Sequence, residues 1–290
     1  MLVSHETPIS LLKESLSYND YDYCLVHLLP THSEYRNFYF ESIKRGRHVL
    51  LDNSLFELGE SYDPEQFAYW VNELKPTEYI IPDVFNDKDK TIESYKNFIS
   101  RYEDLPGKKI AVVHGKTYEE FKECYEFFAN TYNVNKIAFN FIDDYFINSY
   151  DEEILVTNLK IPSYWDSISN NNWKKYALGR AMLIERLIKD RVIKPFIKHH
   201  LLGATLPREF SLYFENNLNH YITSIDTSNP IVAGLLNKRY DDEFGLKEKW
   251  SIKLVDFIDE DADANQLKNM FYNIFTFKKY IEKTTKGIII

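Results

Sequence analysis

Short apolar runs recur along the chain, each closed by polar residues and most followed by a segment of helical periodicity. Residues 23–29 form the first run; 48–54, 79–84, 109–115, 136–142, 195–203 and 221–225 continue the series, and 252–257 is a weaker eighth. Between them, apolar residues recur at helical spacing. Phe67, Trp70, Val71 and Leu74 mark one buried face, with Asp63 as N-cap and Pro64 at the first helical position. Ile92, Tyr95, Phe98, Ile99 and Tyr102 mark a second face. Phe121, Cys124, Tyr125 and Phe128 mark a third, opened by a capping-box pattern from Thr117 to Glu120. Further helices are expected around residues 173–192, from Thr205 onward, and over 262–283, where Leu267, Met270, Phe271, Ile274 and Phe275 form a closing stripe.

Strand alternating with helix predicts parallel βα units, and seven or eight of them in 290 residues fit an α/β chain folded as a (β/α)8 TIM barrel. An open doubly wound sheet is the competitor, but no Gly-rich phosphate turn follows the first run. The rhythm breaks over residues 143–172, where Asp, Asn and Ser are dense; an insertion, a lid or active-site loop, is expected there. No linker, repeat or low-complexity tract interrupts the chain, which reads as a single domain over 1–290 ending in a helix.

Composition narrows the function classes. A hydrophobic fraction of 44% with 16% aromatic residues supplies a core and excludes a disordered chain. A net charge of −9 does not advertise a nucleic-acid binder, yet leaves room for a local basic patch. Cys24 and Cys124 read as core thiols in a reducing compartment, so a cytoplasmic location is expected. No Cys and His cluster has zinc-ligand spacing, and neither a metal nor a cofactor is expected. No stretch is apolar enough to span a membrane, and the first six residues lack the pattern of a signal peptide.

In a parallel barrel the carboxyl ends of the strands converge on one mouth. Those ends supply His27, Asp52 with Asn53, Asp83, His114 with Gly115, Asn140, His200 and Asp226. Separated carboxylates suit displacement at a sugar C1′, one attacking the anomeric carbon and another moving the proton of the leaving or incoming base. Phe56 is placed to stack on a ring. Bland readings compete: Asp52 and Asp226 as caps or turn formers, the stretch from Asp83 to Asp87 as a helix entry, and His114 as a backbone partner. His199 and His200, adjacent on one strand, point to opposite faces and read more readily as structural.

The strand-end motifs, in order, resemble the tRNA-guanine transglycosylases and their DNA-acting relatives. Leu51-Asp52-Asn53-Ser54-Leu55-Phe56-Glu57 is similar to the family's Asp-Ser-Gly-Gly-Phe-Gln segment, whose Asp is the general acid/base and whose Phe packs on the bound base. Ile81-Pro82-Asp83-Val84 resembles the segment whose Asp recognises the guanine edge. Val113-His114-Gly115-Lys116-Thr117 is similar to Val-Gln-Gly-Gly-Thr, with His114 where a base-binding Gln is usual. His200-Leu201-Leu202-Gly203-Ala204 resembles the strand before the nucleophile, and Ser224-Ile225-Asp226-Thr227-Ser228 the element that carries it. The resemblance covers residues 48–230 and implies Asp226 and Asp52 as catalytic, with Asp83, Phe56, Asn53, His114, Gly115 and His200 around the base; Asn140 joins them from its strand-end position.

Two departures shape what it implies. The paired glycines after Asp52 are missing, and so is the Cys-x-Cys-x-x-Cys and His zinc site that helps hold tRNA. The resemblance therefore points to the compact, often phage-borne branch that inserts a 7-deazaguanine into DNA, with tRNA the alternative substrate and a homodimer or partner subunit left open. Lys174, Lys175, Arg180, Arg186, Lys189, Arg191, Lys194 and Lys198 read either as a solvated face or as a phosphate-binding rim, with Lys174, Lys175 and Arg180 the expected nucleic-acid contacts. Lys238-Arg239 and Lys278, Lys279, Lys283 and Lys286 are similar candidates.

Overall fold

Eight short strands carry the fold: β1 (Leu2–His5), β2 (Asp22–Leu25), β3 (Val49–Asp52), β4 (Glu78–Ile80), β5 (Lys108–Val113), β6 (Val134–Phe139), β7 (Lys198–Leu201) and β8 (Ile222–Thr227). The computed structural model describes residues 1–204, 206–240 and 252–285. All pairings are parallel and run β1-β8-β7-β6-β5-β4-β3-β2, a nearly closed (β/α)8 barrel.

The seam between β1 and β2 is sealed by side chains. Asp20 N donates to Val3 O at 2.9 Å, while Asp20 Oδ2 accepts from Val3 N at 2.9 Å; Asn19 Oδ1 accepts from His5 N at 2.7 Å. An edge of unpaired backbone groups would be costly when buried, and these two side chains supply the partners. Lys278 of the closing helix (Ala264–Thr285) clamps the same seam, donating to Asp20 Oδ1 at 2.9 Å and to Tyr18 O at 2.6 Å.

Helices alternate with the strands and cover the sheet with the expected stripes. The Pro64–Leu74 helix buries Phe67, Trp70, Val71 and Leu74 and is capped by Asp63, whose carboxylate accepts from Gln66 N at 2.9 Å. Thr117 caps the Tyr118–Ala129 helix, and Glu120 reaches back to Lys116 N at 2.7 Å, one residue before the N-cap of an ordinary capping box.

Two expectations about the elements are corrected. The first strand is Leu2–His5, too short and too mixed in polarity to stand out by pattern; its pairing with Asp226 and its neighbours on β8 is what makes it a strand. The weak run 252–257 is not a strand: Leu254–Phe257 is a 3₁₀ turn. The 143–172 insertion is also largely structured. It holds short helices at Asp144–Asn148 and Tyr150–Val156 and a turn at Ser163–Ser167, whose Trp165 is buried.

Candidate active site

The strand ends open into a cleft of about 640 Å³, measured out to open solvent. Five carboxylates line it: Asp52, Asp83 and Asp226 at strand ends, with Glu6 after β1 and Glu57 one turn beyond Asp52. Tyr23, Phe56, Phe85 and Phe141 supply rings, Asn53 and Asn140 amides, and no Lys, Arg or His lines it among the described residues. The lining therefore combines aromatic rings with hydrogen-bond acceptors.

Asp226 is buried and does not cap the next helix. Its Oδ1 faces His200 Nε2 at 2.9 Å and its Oδ2 accepts from Gly203 N at 3.1 Å, while Ser228 precedes the Asn229–Leu235 helix without a side-chain cap. Asp52, also buried, does form a turn: its Oδ2 accepts from Ser54 N at 2.7 Å. Burial, then the nearby charges of Glu57 and Asp226, push the Asp52 carboxyl well above the usual carboxylate range, although the Ser54 amide works against them. A carboxyl that holds its proton this firmly is suited to give one to a leaving group.

Ser54 makes that turn in the left-handed region, at φ 61°, uncommon outside glycine. Its Oγ lies 2.8 Å from Nδ1 of His27, a second strand-end residue, so both ends of the strained turn are tied down. The neighbouring Asn53 faces the other way. Its Nδ2 donates to Asp83 Oδ1 at 2.6 Å and to Ile81 O at 3.0 Å, and its Oδ1 accepts from Leu55 N at 3.0 Å.

Asp83 meets the cleft with both oxygens already engaged once. Opposite Asn53, Oδ2 takes His114 Nε2 at 2.7 Å, and His114 Nδ1 lies 3.0 Å from Asp143 Oδ2. Burial alone would lower the His114 ring, but the hydrogen bonds to Asp143 and Asp83 outweigh it and lift it to about 9. Burial raises Asp143. With both carboxyls ionised, each ring nitrogen presents an N–H, and His114 is then an imidazolium. Helix entry in this stretch belongs to Asp87, which caps Lys90 N at 3.0 Å, leaving Asp83 free of that duty.

Several expected contacts are relocated. His114 stands behind Asp83, outside the cleft lining. Gly115 is a packing position: a Cβ there would lie 2.8 Å from Phe121 N and 2.9 Å from Glu120 Cβ. His200 is fully buried beneath Asp226, and His199 on the opposite face bonds Tyr125 OH at 2.8 Å and Tyr221 O at 2.9 Å. Asn140 does line the cleft, its amide folded onto Ile142 O at 2.7 Å. Phe56 lies at the rim, 38% exposed, with Lys253 Nζ 4.7 Å from its ring centre.

One of the expected nucleic-acid contacts, Arg180, is corrected more sharply. Arg180 is wholly buried, paired with both Glu209 oxygens at 2.8 and 2.9 Å, because the middle of the Asn172–Lys189 helix is buried on every side. Lys174 donates to Trp165 O at 2.7 Å, tying down the insertion, and Lys175 lies 5.2 Å from the Tyr150 ring centre. Lys189, Arg191 and Lys198 remain exposed. Lys286 lies outside the described residues.

Sequence reasoning missed Glu6, Tyr23, Glu57 and the role of Asp143. Glu6 is hidden behind the unrecognised β1; Glu57 was legible, since it stands beside Phe56 in the same short helix (Leu55–Leu58). No protein-family model matches the chain, and none of the curated proteins compared with it matches either. No helix among the described residues is long and apolar enough to cross a membrane.

Proposed function

We propose that this chain is a transglycosylase that exchanges guanine in a polynucleotide, DNA before tRNA, for a 7-deazaguanine. The observation that carries the reading is a pair of buried carboxyls facing one cleft: Asp52, which burial and Glu57 push well above the usual carboxylate range, and Asp226, held between His200 Nε2 and the Gly203 amide. In this scheme Asp226 attacks C1′, the C1′–N bond to guanine breaks, and Asp52 delivers the proton to the departing base. The incoming base reverses the steps, returning its proton to Asp52. Asp83 has lone pairs left on both oxygens to accept from the N–H edge of a purine, and Phe56 packs on its ring. Asp226→Ala should lower exchange of labelled guanine by roughly 10⁴-fold or more with the fold intact; exchange retained in that variant rules the assignment out.

One observation favours a second reading, a hydrolase or lyase acting on a free small molecule. Among the described residues the cleft is lined by five carboxylates without a basic side chain, and Arg180 and Lys174 are engaged within the protein. Binding to DNA or RNA that weakens steeply with salt supports the polynucleotide substrate; no such binding supports the small molecule.

A further inference from the structure

Barrel interiors of this class are usually filled by branched apolar side chains. Here a connected row of polar groups runs through the barrel. Toward the amino ends of the strands, Glu78 Oε2 accepts from Lys136 Nζ at 2.6 Å and faces His48 Nε2 at 3.2 Å. The same ammonium donates to Ser224 Oγ at 3.2 Å. Ser224 Oγ lies 2.9 Å from His200 Nδ1, and His200 Nε2 lies 2.9 Å from Asp226 Oδ1. Glu78, Lys136, Ser224, His200 and Asp226 are all buried, so their polar atoms must find partners within the protein, and the bonds that join them make one continuous row.

The direction of each bond follows from which groups can donate. Lys136 has only protons to give, so Ser224 accepts from it and keeps its own hydroxyl proton to pass on. Burial lowers His200 from its usual value despite the pull of Asp226, so the ring is neutral and carries a single N–H. Asp226 already accepts from Gly203 N, and Nε2 faces the other oxygen of the same carboxyl, so the N–H belongs on Nε2 and Nδ1 is left to take the Ser224 proton. Every donor in the row then points from Lys136 toward Asp226.

We propose that Lys136 and Ser224 are positioning residues, which lock His200 in the Nε2–H tautomer so that His200 aims the Asp226 carboxylate into the cleft. The proposal rests on Asp226 being the reacting group, whereas the tautomer it requires can be measured without any substrate. The wrong tautomer would present a bare nitrogen to the carboxylate, turning an attraction into a repulsion between lone pairs.

Nitrogen NMR of ¹⁵N-histidine-labelled protein reads the tautomer, and exchange of labelled guanine into a polynucleotide reads the chemistry. The unaltered chain should show an Nε2–H ring at His200. Ser224→Ala removes one hydroxyl from a small side chain; it should mix the tautomers and lower kcat for exchange about 5- to 150-fold with KM little changed. Ser224→Thr, which keeps the hydroxyl, should restore both. Glu78→Gln with Lys136→Met removes the buried charges together, sparing the fold an unpaired ion, and should disturb the tautomer in the same way. An Nδ1–H ring in the unaltered protein, or one indifferent to Ser224→Ala, overturns the proposal, as does a changed tautomer with kcat untouched. If the unaltered protein exchanges no guanine, the function proposed above fails, and the tautomer measurements alone decide whether the row sets His200.

Discussion

His114 Nε2 lies 2.7 Å from Asp83 Oδ2, deep in the barrel mouth, with no solvent reaching the ring. The carboxylate at the end of β4 therefore meets the cleft backed by a cation, itself held from behind by Asp143. Asn53 on one side and His114 on the other fix the plane of the Asp83 carboxylate, so its remaining lone pairs have set directions. A ligand that offers N–H groups in that plane is met by a rigid acceptor, which lowers the ordering cost of binding.

The His114 ring makes stability depend on pH in a defined window. Folded, it keeps its proton up to about 9, whereas an unfolded histidine releases it near 6.5. Its contribution is complete below about pH 6.5 and is lost as pH rises through about 9, amounting to about 3 kcal/mol at most. Buried His5 and His199 and half-buried His27, each lowered to about 4, act in the opposite sense: their charging costs stability as pH falls below about 6.5. Urea unfolding followed across this range should peak near neutrality, and His114→Gln should flatten the alkaline limb. An alkaline limb unchanged by that substitution would show that the ring is not charged in the fold.

Arg180 should behave as a structural ion and leave polynucleotide contacts alone. Its guanidinium also donates to Leu202 O at 2.7 Å and sits 4.9 Å from the Phe141 ring centre, so it fastens two elements that line the cleft. Arg180→Met leaves Glu209 buried without its partner and should cost about 3–5 kcal/mol. The salt dependence of DNA binding by the folded fraction should stay as it was; a shallower slope would return Arg180 to the phosphate rim.

Ser54 carries the local strain of the site. Ser54→Ala loses the Oγ contact to His27 and keeps a Cβ in the left-handed region, whereas Ser54→Gly loses the same contact but relieves the backbone. The glycine variant should be the more stable of the two by about 1 kcal/mol, read from the midpoints of thermal unfolding. The reverse order would mean that the turn is not strained at this residue.

The alternation of apolar runs with helical stripes was enough to determine the barrel, because seven of its strands are buried on both faces and stand out as short apolar runs between amphipathic helices. Strand-end position likewise singled out Asp52, Asp83, Asn140 and Asp226 for the mouth, since a parallel sheet brings those ends together whatever lies between them. Pattern could not reveal β1, whose four residues become a strand only against β8, nor Glu6, which it carries into the cleft. Nor could it sort charged side chains by depth. Arg180 and Lys136 look like solvent-facing cations in the sequence; each is buried because a carboxylate from a distant element, Glu209 or Glu78, comes to meet it. Such pairings join residues far apart along the chain, so only the tertiary structure decides whether a charge is a surface contact, a structural ion or part of the site.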